Sequence, residues 1–188
     1  MSSTVPSTAP GDSGDMVFEH TMLGLLQVGE ARMSERGRSR LEALGVTERA
    51  MLPAYPTRIF RAVLEVTREE LFAELPPEEG FDAVGRAFFQ RYERSLMGRA
   101  VLLAIKVLGA RRMLDRMSRN FRTANNYTET HVTELGPGDC EVWFNRVIEP
   151  HYYRGLLTEA LSRTGEASPE VTLQSHGPEG TVFRLRWG

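Results

Sequence analysis

The feature that most constrains this chain is a change of hydrophobic period close to residue 125. Up to residue 123 the apolar side chains recur at helical spacing, and from Tyr127 they alternate with a period of two. A chain built this way has to pack a helical half against a stranded half, which makes the expected class α+β. Residues 99–108 are apolar nearly all round, so they predict a central buried helix bracketed by Gly98 and Gly109. In the helix predicted next, over residues 110–123, Met113, Leu114, Met117 and Phe121 fall within an arc of about 100°. Arg112, Arg116 and Arg119 gather on the opposite side, flanked by Arg111, Asp115 and Arg122.

The helical half begins after a tail. Residues 1–14 are Ser, Thr, Pro and Gly with almost no apolar side chains, and read as disordered. From Asp15 the pattern turns helical, with Phe18, Met22, Leu25 and Leu26 on one face and Gly29 as a stop. Ser34 suits the N-cap of a short helix reaching Leu44, and Gly45 suits its C-terminal glycine. The run from Pro53 to Pro56 reads as a rigid connector into a helix burying Ile59, Phe60, Val63 and Leu64. The sequence Thr67-Arg-Glu-Glu70 matches a capping box, which predicts a fresh helical start there. Pro76 and Pro77, with Glu78 and Glu79 behind them, restart a helix whose stripe is Phe81, Val84, Phe88, Tyr92 and Leu96.

In the stranded half, residues 127–133 alternate as a half-exposed strand. The turn at residues 136–139 joins them to a run with Cys140, Val142 and Phe144 on one face and Trp143 on the other. A helix over residues 152–164 follows, then strands at 171–175 and 181–187 around a turn at 177–180. The expected architecture is a single α+β domain over residues 15–188. Its N-terminal helices pack on a four-stranded, mostly antiparallel sheet, and the C-terminal half runs β-β-α-β-β.

Composition matters where it excludes. A hydrophobic content of 41% with 26% charged residues is that of a globular chain, and a formal net charge of −2 gives no global attraction for nucleic acid or anionic membrane. The lone cysteine, Cys140, cannot form an internal disulfide, which together with the absence of a signal-like N-terminus predicts a cytoplasmic protein. The most apolar run meets Lys106 far short of the roughly 20 residues a membrane-spanning helix needs, so no span is expected. Lys106 is the single lysine beside 22 arginines, a bias that GC-rich coding explains, so arginine abundance by itself is not a signal for phosphate recognition.

What remains informative is the one-sided arrangement of the arginines. Residues 99–122 hold seven basic residues against one acid, and guanidinium groups suit carboxylate or phosphate oxygens. Arg112, Arg116, Arg119 and Arg122 are therefore the candidate ligand- or anion-binding residues, with Asn125, Asn126 and Tyr127 at the junction beside them. A solvated face, or pairing with the acids of residues 65–79, is the plainer account of the ridge, and a turn that bonds its own backbone is the plainer account of the asparagines. His20, His131, His151 and His176 stand at no metal-ligand spacing, and no metal site or cofactor is expected. Glycine-rich phosphate loops, nucleophile elbows and zinc-protease motifs are absent, so no catalytic residue is assigned.

Several landmarks carry a resemblance. They are Gly24-Leu25, the Leu41, Leu44 and Gly45 set, Pro53-x-Tyr55-Pro56, Leu96-x-Gly98-Arg99-Ala100, the run over residues 108–117, Phe121 to Tyr127, Tyr152-Tyr-x-Gly155 and the closing Arg186-Trp187. In this order they resemble a myxobacteria-restricted family of unknown function over about residues 16–188, a resemblance that brings no activity with it. More distantly, the helices placed before a helix-interrupted sheet resemble the group that joins four-vinyl reductases, trafficking subunits and haem–nitric-oxide-binding domains. The helix carrying Tyr153-x-Gly155 and the hairpin ending Phe183-x-Leu-x-Trp187 look like the C-terminal half of that group. That likeness implies a small hydrophobic ligand or a partner protein, although the Tyr-x-Ser-x-Arg haem-propionate motif occurs nowhere in the chain.

The function these readings point to is a non-enzymatic sensor or adaptor domain for a small apolar or amphipathic ligand or a protein partner. Nucleic-acid or nucleotide binding through the ridge is the alternative, and homodimerisation is left open.

Overall fold

The computed structural model describes residues 14–30, 32–94, 98–99 and 109–188. Residues 1–13 of the expected tail (1–14) and residues 100–108 of the expected buried helix (99–108) lie outside the described residues. Arg99, at the start of that expected helix, is exposed.

The chain opens with a short strand where a helix is predicted. β1 (Met16–Phe18) runs antiparallel to β2 (Ala54–Pro56), which occupies the expected Pro-rich connector, and Val17 lies opposite Tyr55. Each strand is only three residues long, so neither displays a period that sequence could reveal. α1 (Glu19–Gly29) follows directly and buries Met22, Leu25 and Leu26. α2 (Glu35–Ala43) starts at Ser34, whose hydroxyl accepts from Gly37 N at 3.0 Å, and ends before Gly45 at φ 72°.

α3 (Thr57–Leu71) is one unbroken helix burying Phe60, Val63, Leu64 and Leu71. The predicted capping box at Thr67 is overturned: its hydroxyl donates back to Val63 O at 2.8 Å, satisfying itself one turn earlier inside the helix. α4 (Pro77–Tyr92) starts where predicted, with Pro77 in its first turn and Glu78 and Glu79 at its positive end.

Residues 109–115 are helical, and after a turn at Arg116 the chain continues as α5 (Met117–Ala124). The amphipathic helix predicted as continuous is thus interrupted once, with Arg116 N bonding Met113 O and Asn120 N bonding Arg116 O. The strand expected from Tyr127 begins at Thr130: β3 (Thr130–Gly136) pairs with β4 (Asp139–Phe144), and after α6 (Pro150–Ser162) come β5 (Glu170–Gly177) and β6 (Gly180–Arg186). The order across the sheet is β3-β4-β6-β5, antiparallel throughout.

One face of this sheet carries Cys140, Val142, Phe144, Phe183 and Leu185, all essentially inaccessible to solvent, and the helices cover it. Phe144 meets Phe121, Tyr153 and Phe183 edge to face, with centroids 5.4–5.7 Å apart, which locks α5 and α6 to the sheet. α6 is the middle layer, and α4 crosses it at very close range. A Cβ on Gly85 would fall 2.8 Å from Leu156 N, and one on Gly155 would fall 2.8 Å from the Asp82 carbonyl carbon. Asp82 clamps the crossing by accepting from Arg86 Nε at 2.6 Å and from Arg154 Nε at 2.7 Å.

Candidate ligand-binding site

Four helical segments leave a cavity of about 350 Å³ beside the α4–α6 crossing. Its walls follow from the same periodicities that build the core. α4 turns Phe88, Phe89 and Tyr92 toward it, and α6 contributes Leu156, Leu157 and Ala160. The segment 109–124 contributes Met113, Met117 and Phe121, whose spacing of four keeps them on one side of the helix. Phe88 and Tyr92 stack on each other with centroids 6.3 Å apart, while Tyr153, stacked on Phe121 at 5.6 Å, and Tyr152, edge to face with Phe88 at 5.9 Å, fix the aromatic wall from outside.

Polar groups gather at the mouth. His20 and Thr21 come from the first turn of α1, and Asn120 and Thr123 from the outer edge of α5. Thr21 donates its hydroxyl to Ala124 O at 3.3 Å, tying the two sides together. Solvent reaches His20, yet desolvation by the surrounding protein lowers its imidazole pKa below the ordinary value, with Glu19 opposing the shift. Burial raises the Tyr92 phenol. Sequence patterning reads Phe88, Tyr92, Met113, Met117 and Phe121 as core stripes and His20 as ordinary. What marks them as a site is their convergence, which no local pattern encodes.

The predicted ridge lies on the outside of the same helical segment. Arg112, Arg116, Arg119 and Arg122 are exposed, and none of them makes an ion pair among the described residues. The acids of residues 65–79 do not neutralise them: Glu65 pairs with Arg61, Glu69 with Arg40 and Arg68, and Glu78 lies near His151. Only Arg111 is engaged, with Asp115 at 3.2 Å and with Glu134.

The neighbouring junction faces elsewhere. Asn125 is buried, and its carboxamide oxygen accepts from Tyr127 N at 3.1 Å and Thr128 N at 2.8 Å, an Asx turn out of the helix. Asn126 accepts from Met16 N at 2.7 Å and donates to Gly14 O at 3.0 Å, pinning β1. Tyr127 is buried beneath the Arg146 guanidinium. Among the described residues its hydroxyl and that of Thr128 are buried without a well-formed hydrogen bond, although both interact with Tyr153, and burial raises the Tyr127 pKa. Among the described residues none of these three lines the cavity. No group of three or more His, Cys, Asp or Glu side chains able to hold a metal ion occurs among the described residues, and no helix there is long and apolar enough to cross a membrane.

Comparison with known proteins places the fold. The crystal structure of an Fe(II) unliganded H-NOX protein from K. algicida is similar, with a TM-score of 0.66 at 13% identity. The match covers 91% of this chain and 96% of that one. An oxygen-binding H-NOX domain related to soluble guanylate cyclases, in its oxygen complex, is similar with a TM-score of 0.63 at 13% identity, covering 89% and 90%. At these identities the likeness shows a shared fold. No curated protein matches the sequence. The model of one family, described as protein of unknown function (DUF2378), matches residues 15–188, and the chain belongs to that family.

Proposed function

We propose that this chain is a non-enzymatic sensor or adaptor domain, cytoplasmic, that holds one small apolar or amphipathic molecule in the cavity between α1, α4, α5 and α6. The observation that carries this reading is the cavity itself: about 350 Å³, walled mainly by aromatic, Leu and Met side chains, with the exposed polar residues His20, Asn120 and Thr123 at the mouth. Ligand sites have this form, and the volume lies near the lower end of the roughly 300–1,000 Å³ range they span. An apolar molecule entering it exchanges water contact for packing against Phe88, Met117 and Leu157. Because α4 and α6 wall the cavity and also make the tight crossing over the sheet, occupancy bears directly on how the helical layer sits. The H-NOX fold, found in a domain solved as its oxygen complex, supports a sensor reading.

Haem, which those neighbours imply, does not fit the residues here. Haem iron takes an axial His, Cys, Met or Tyr ligand over the middle of the macrocycle. Among the described lining residues the one imidazole, His20, stands at the solvent-exposed mouth, burial raises the Tyr92 phenol away from the phenolate an iron would take, and Met113 and Met117 offer only thioether sulfur, which serves haem iron beside a histidine. Cys140 is on the sheet, away from the cavity, and burial pushes its thiol up to about 11, far from the thiolate a metal needs.

The test is a thermal-shift screen of the purified protein against a lipid and small-apolar-molecule set. A ligand present at a hundred times its dissociation constant stabilises by about 2.7 kcal/mol, which in a chain of this size is a rise of about 5–10 °C. A Met117→Trp variant, which fills the cavity, should lose the shift. A shift unchanged in that variant, or no shift from any member of the set, would sink the reading. A second reading, nucleic-acid binding, is favoured by the four exposed arginines without ion pairs. It predicts affinity for DNA or RNA that falls steeply with salt and is lost when Arg112, Arg116 and Arg119 become Ala together.

A further inference from the structure

The cavity and the arginine ridge meet along one line of α5. Asn120 and Thr123 form the exposed edge of the cavity mouth. Arg116 stands four residues before Asn120, and Arg119 four residues before Thr123, so each guanidinium belongs to the side chain next to a mouth residue on the helix surface. The backbone bond from Asn120 N to Arg116 O, 3.0 Å, confirms that this turn is helical despite the interruption at Arg116. Arg112 continues the same row one turn earlier. Neither Arg116 nor Arg119 has an ion pair among the described residues, so their charge is uncompensated where the cavity opens. On the opposite lip Glu19 stands beside His20, which leaves the α1 side unsuited to an anion.

We infer that the ligand class is an amphipathic anion: an unbranched apolar chain carrying one carboxylate, its tail in the cavity and its head on Arg116 and Arg119. This rests on the cavity reading of the preceding section and adds the head group to it. Inside, the described walls offer a head group only the Tyr92 phenol and the Thr21 hydroxyl, the latter already bonded to Ala124 O, whereas two guanidinium groups beside the lip offer charge-assisted hydrogen bonds to carboxylate oxygens. The cavity holds a chain of roughly eight to twelve carbons at about 30 Å³ for each water-sized group. Arg122 provides an internal control. At 100° per residue it projects about 160° away from Asn120 but only about 60° from Arg119, so it should contribute less than either Arg116 or Arg119.

The experiment compares octanoate, 1-octanol and acetate by calorimetric titration at pH 7 and low salt. The proteins are the wild type, Arg116→Gln/Arg119→Gln and Arg122→Gln, each checked for an unchanged circular-dichroism spectrum and melting temperature. The expected result is that octanoate binds the wild type and Arg122→Gln at least tenfold more tightly than octanol does. The double variant should lose that margin while keeping its affinity for octanol, and acetate should bind none of them. Equal affinity for octanoate and octanol in the wild type overturns the head-group assignment and leaves the cavity reading standing. A margin that survives in the double variant, or falls equally in Arg122→Gln, also overturns it. Acetate binding as tightly as octanoate would show an anion site without a tail pocket, and overturns it too. No binding of either eight-carbon compound removes the cavity reading and this inference with it.

Discussion

The closest prediction to the architecture concerns Gly85. In an exposed helix interior, Gly→Ala stabilises by about 1 kcal/mol through propensity alone. Here the added methyl would lie 2.8 Å from Leu156 N and closer still to the Tyr152 carbonyl oxygen, both of them backbone atoms of α6. Backbone cannot rotate away as a side chain can, so α4 and α6 have to separate. Separation loosens Phe88 from Tyr152, whose rings meet at 5.9 Å, and strains the bonds by which Asp82 holds Arg86 and Arg154. Overpacking against movable side chains costs about 1–3 kcal/mol, and this case belongs at or above the top of that range. After the propensity gain of about 1 kcal/mol, the net loss is about 2 kcal/mol or more, which means a melting temperature lower by about 4–8 °C. Urea unfolding with a fitted slope is the assay. Gly24→Ala is the control, because its methyl would meet only the Phe88 ring, at 3.0 Å. Gly155→Ala should cost as much as Gly85→Ala, and the double variant less than the sum, since helices already parted need not part again. If Gly85→Ala were neutral, or more stable by the propensity amount, the close crossing would be refuted.

Other outcomes follow from single contacts. Ser34→Ala removes the cap on Gly37 N and should cost about 1 kcal/mol in urea unfolding; no loss would mean that α2 is held by packing alone. Tyr127→Phe deletes a buried hydroxyl without a well-formed hydrogen bond among the described residues, so stability should be unchanged or rise by up to about 1 kcal/mol, and a clear loss would show that the hydroxyl is engaged, with Tyr153 as its partner. Asp139 is held below the ordinary carboxylate pKa, first by the hydrogen bond from Arg184 and then by Arg186. A depressed folded pKa makes the pair's contribution complete above the ordinary carboxylate value and lost as pH falls through the folded one. The stability difference between wild type and Asp139→Asn should therefore be flat near neutrality and close in strong acid. A gap that widened on acidification would contradict the assignment.

Much of the fold was legible because its signals are local. The Ser34 cap, the Pro77 start, the alternation of Cys140, Val142 and Phe144 and the left-handed Gly45 each declare themselves within a few residues. What was not legible depends on partners far along the chain. β1 and β2 pair across nearly forty residues, and three-residue strands have no period to read. Thr67 carries the side chains of a capping box in the right order, and only its environment, in mid-helix with Val63 O within reach, turns its hydroxyl inward. Gly85 did leave a trace in the sequence, since glycine inside a helical pattern calls for a packing reason, but the carbonyl it has to clear belongs to a helix some seventy residues later.

The candidate site divides along the same physical line. A one-sided row of arginines is visible in a sequence because one helix fixes all of their directions, and the structure leaves Arg112, Arg116, Arg119 and Arg122 exposed. The cavity is invisible because each wall residue, taken alone, does what a core residue does. Phe88 lies on the α4 stripe, Leu157 on that of α6, and Met117 on that of α5. Only where three stripes face one another without filling the space between them does a core become a container. Asn120 shows how the two readings join. On the helical wheel it separates the arginine row from the apolar stripe, and in the structure it is the edge of the opening. A polar residue at such a boundary is uninformative in a solvated helix. Where the stripe beside it borders a cavity, the same residue sets the depth at which a ligand's apolar part must end and its charged part begin.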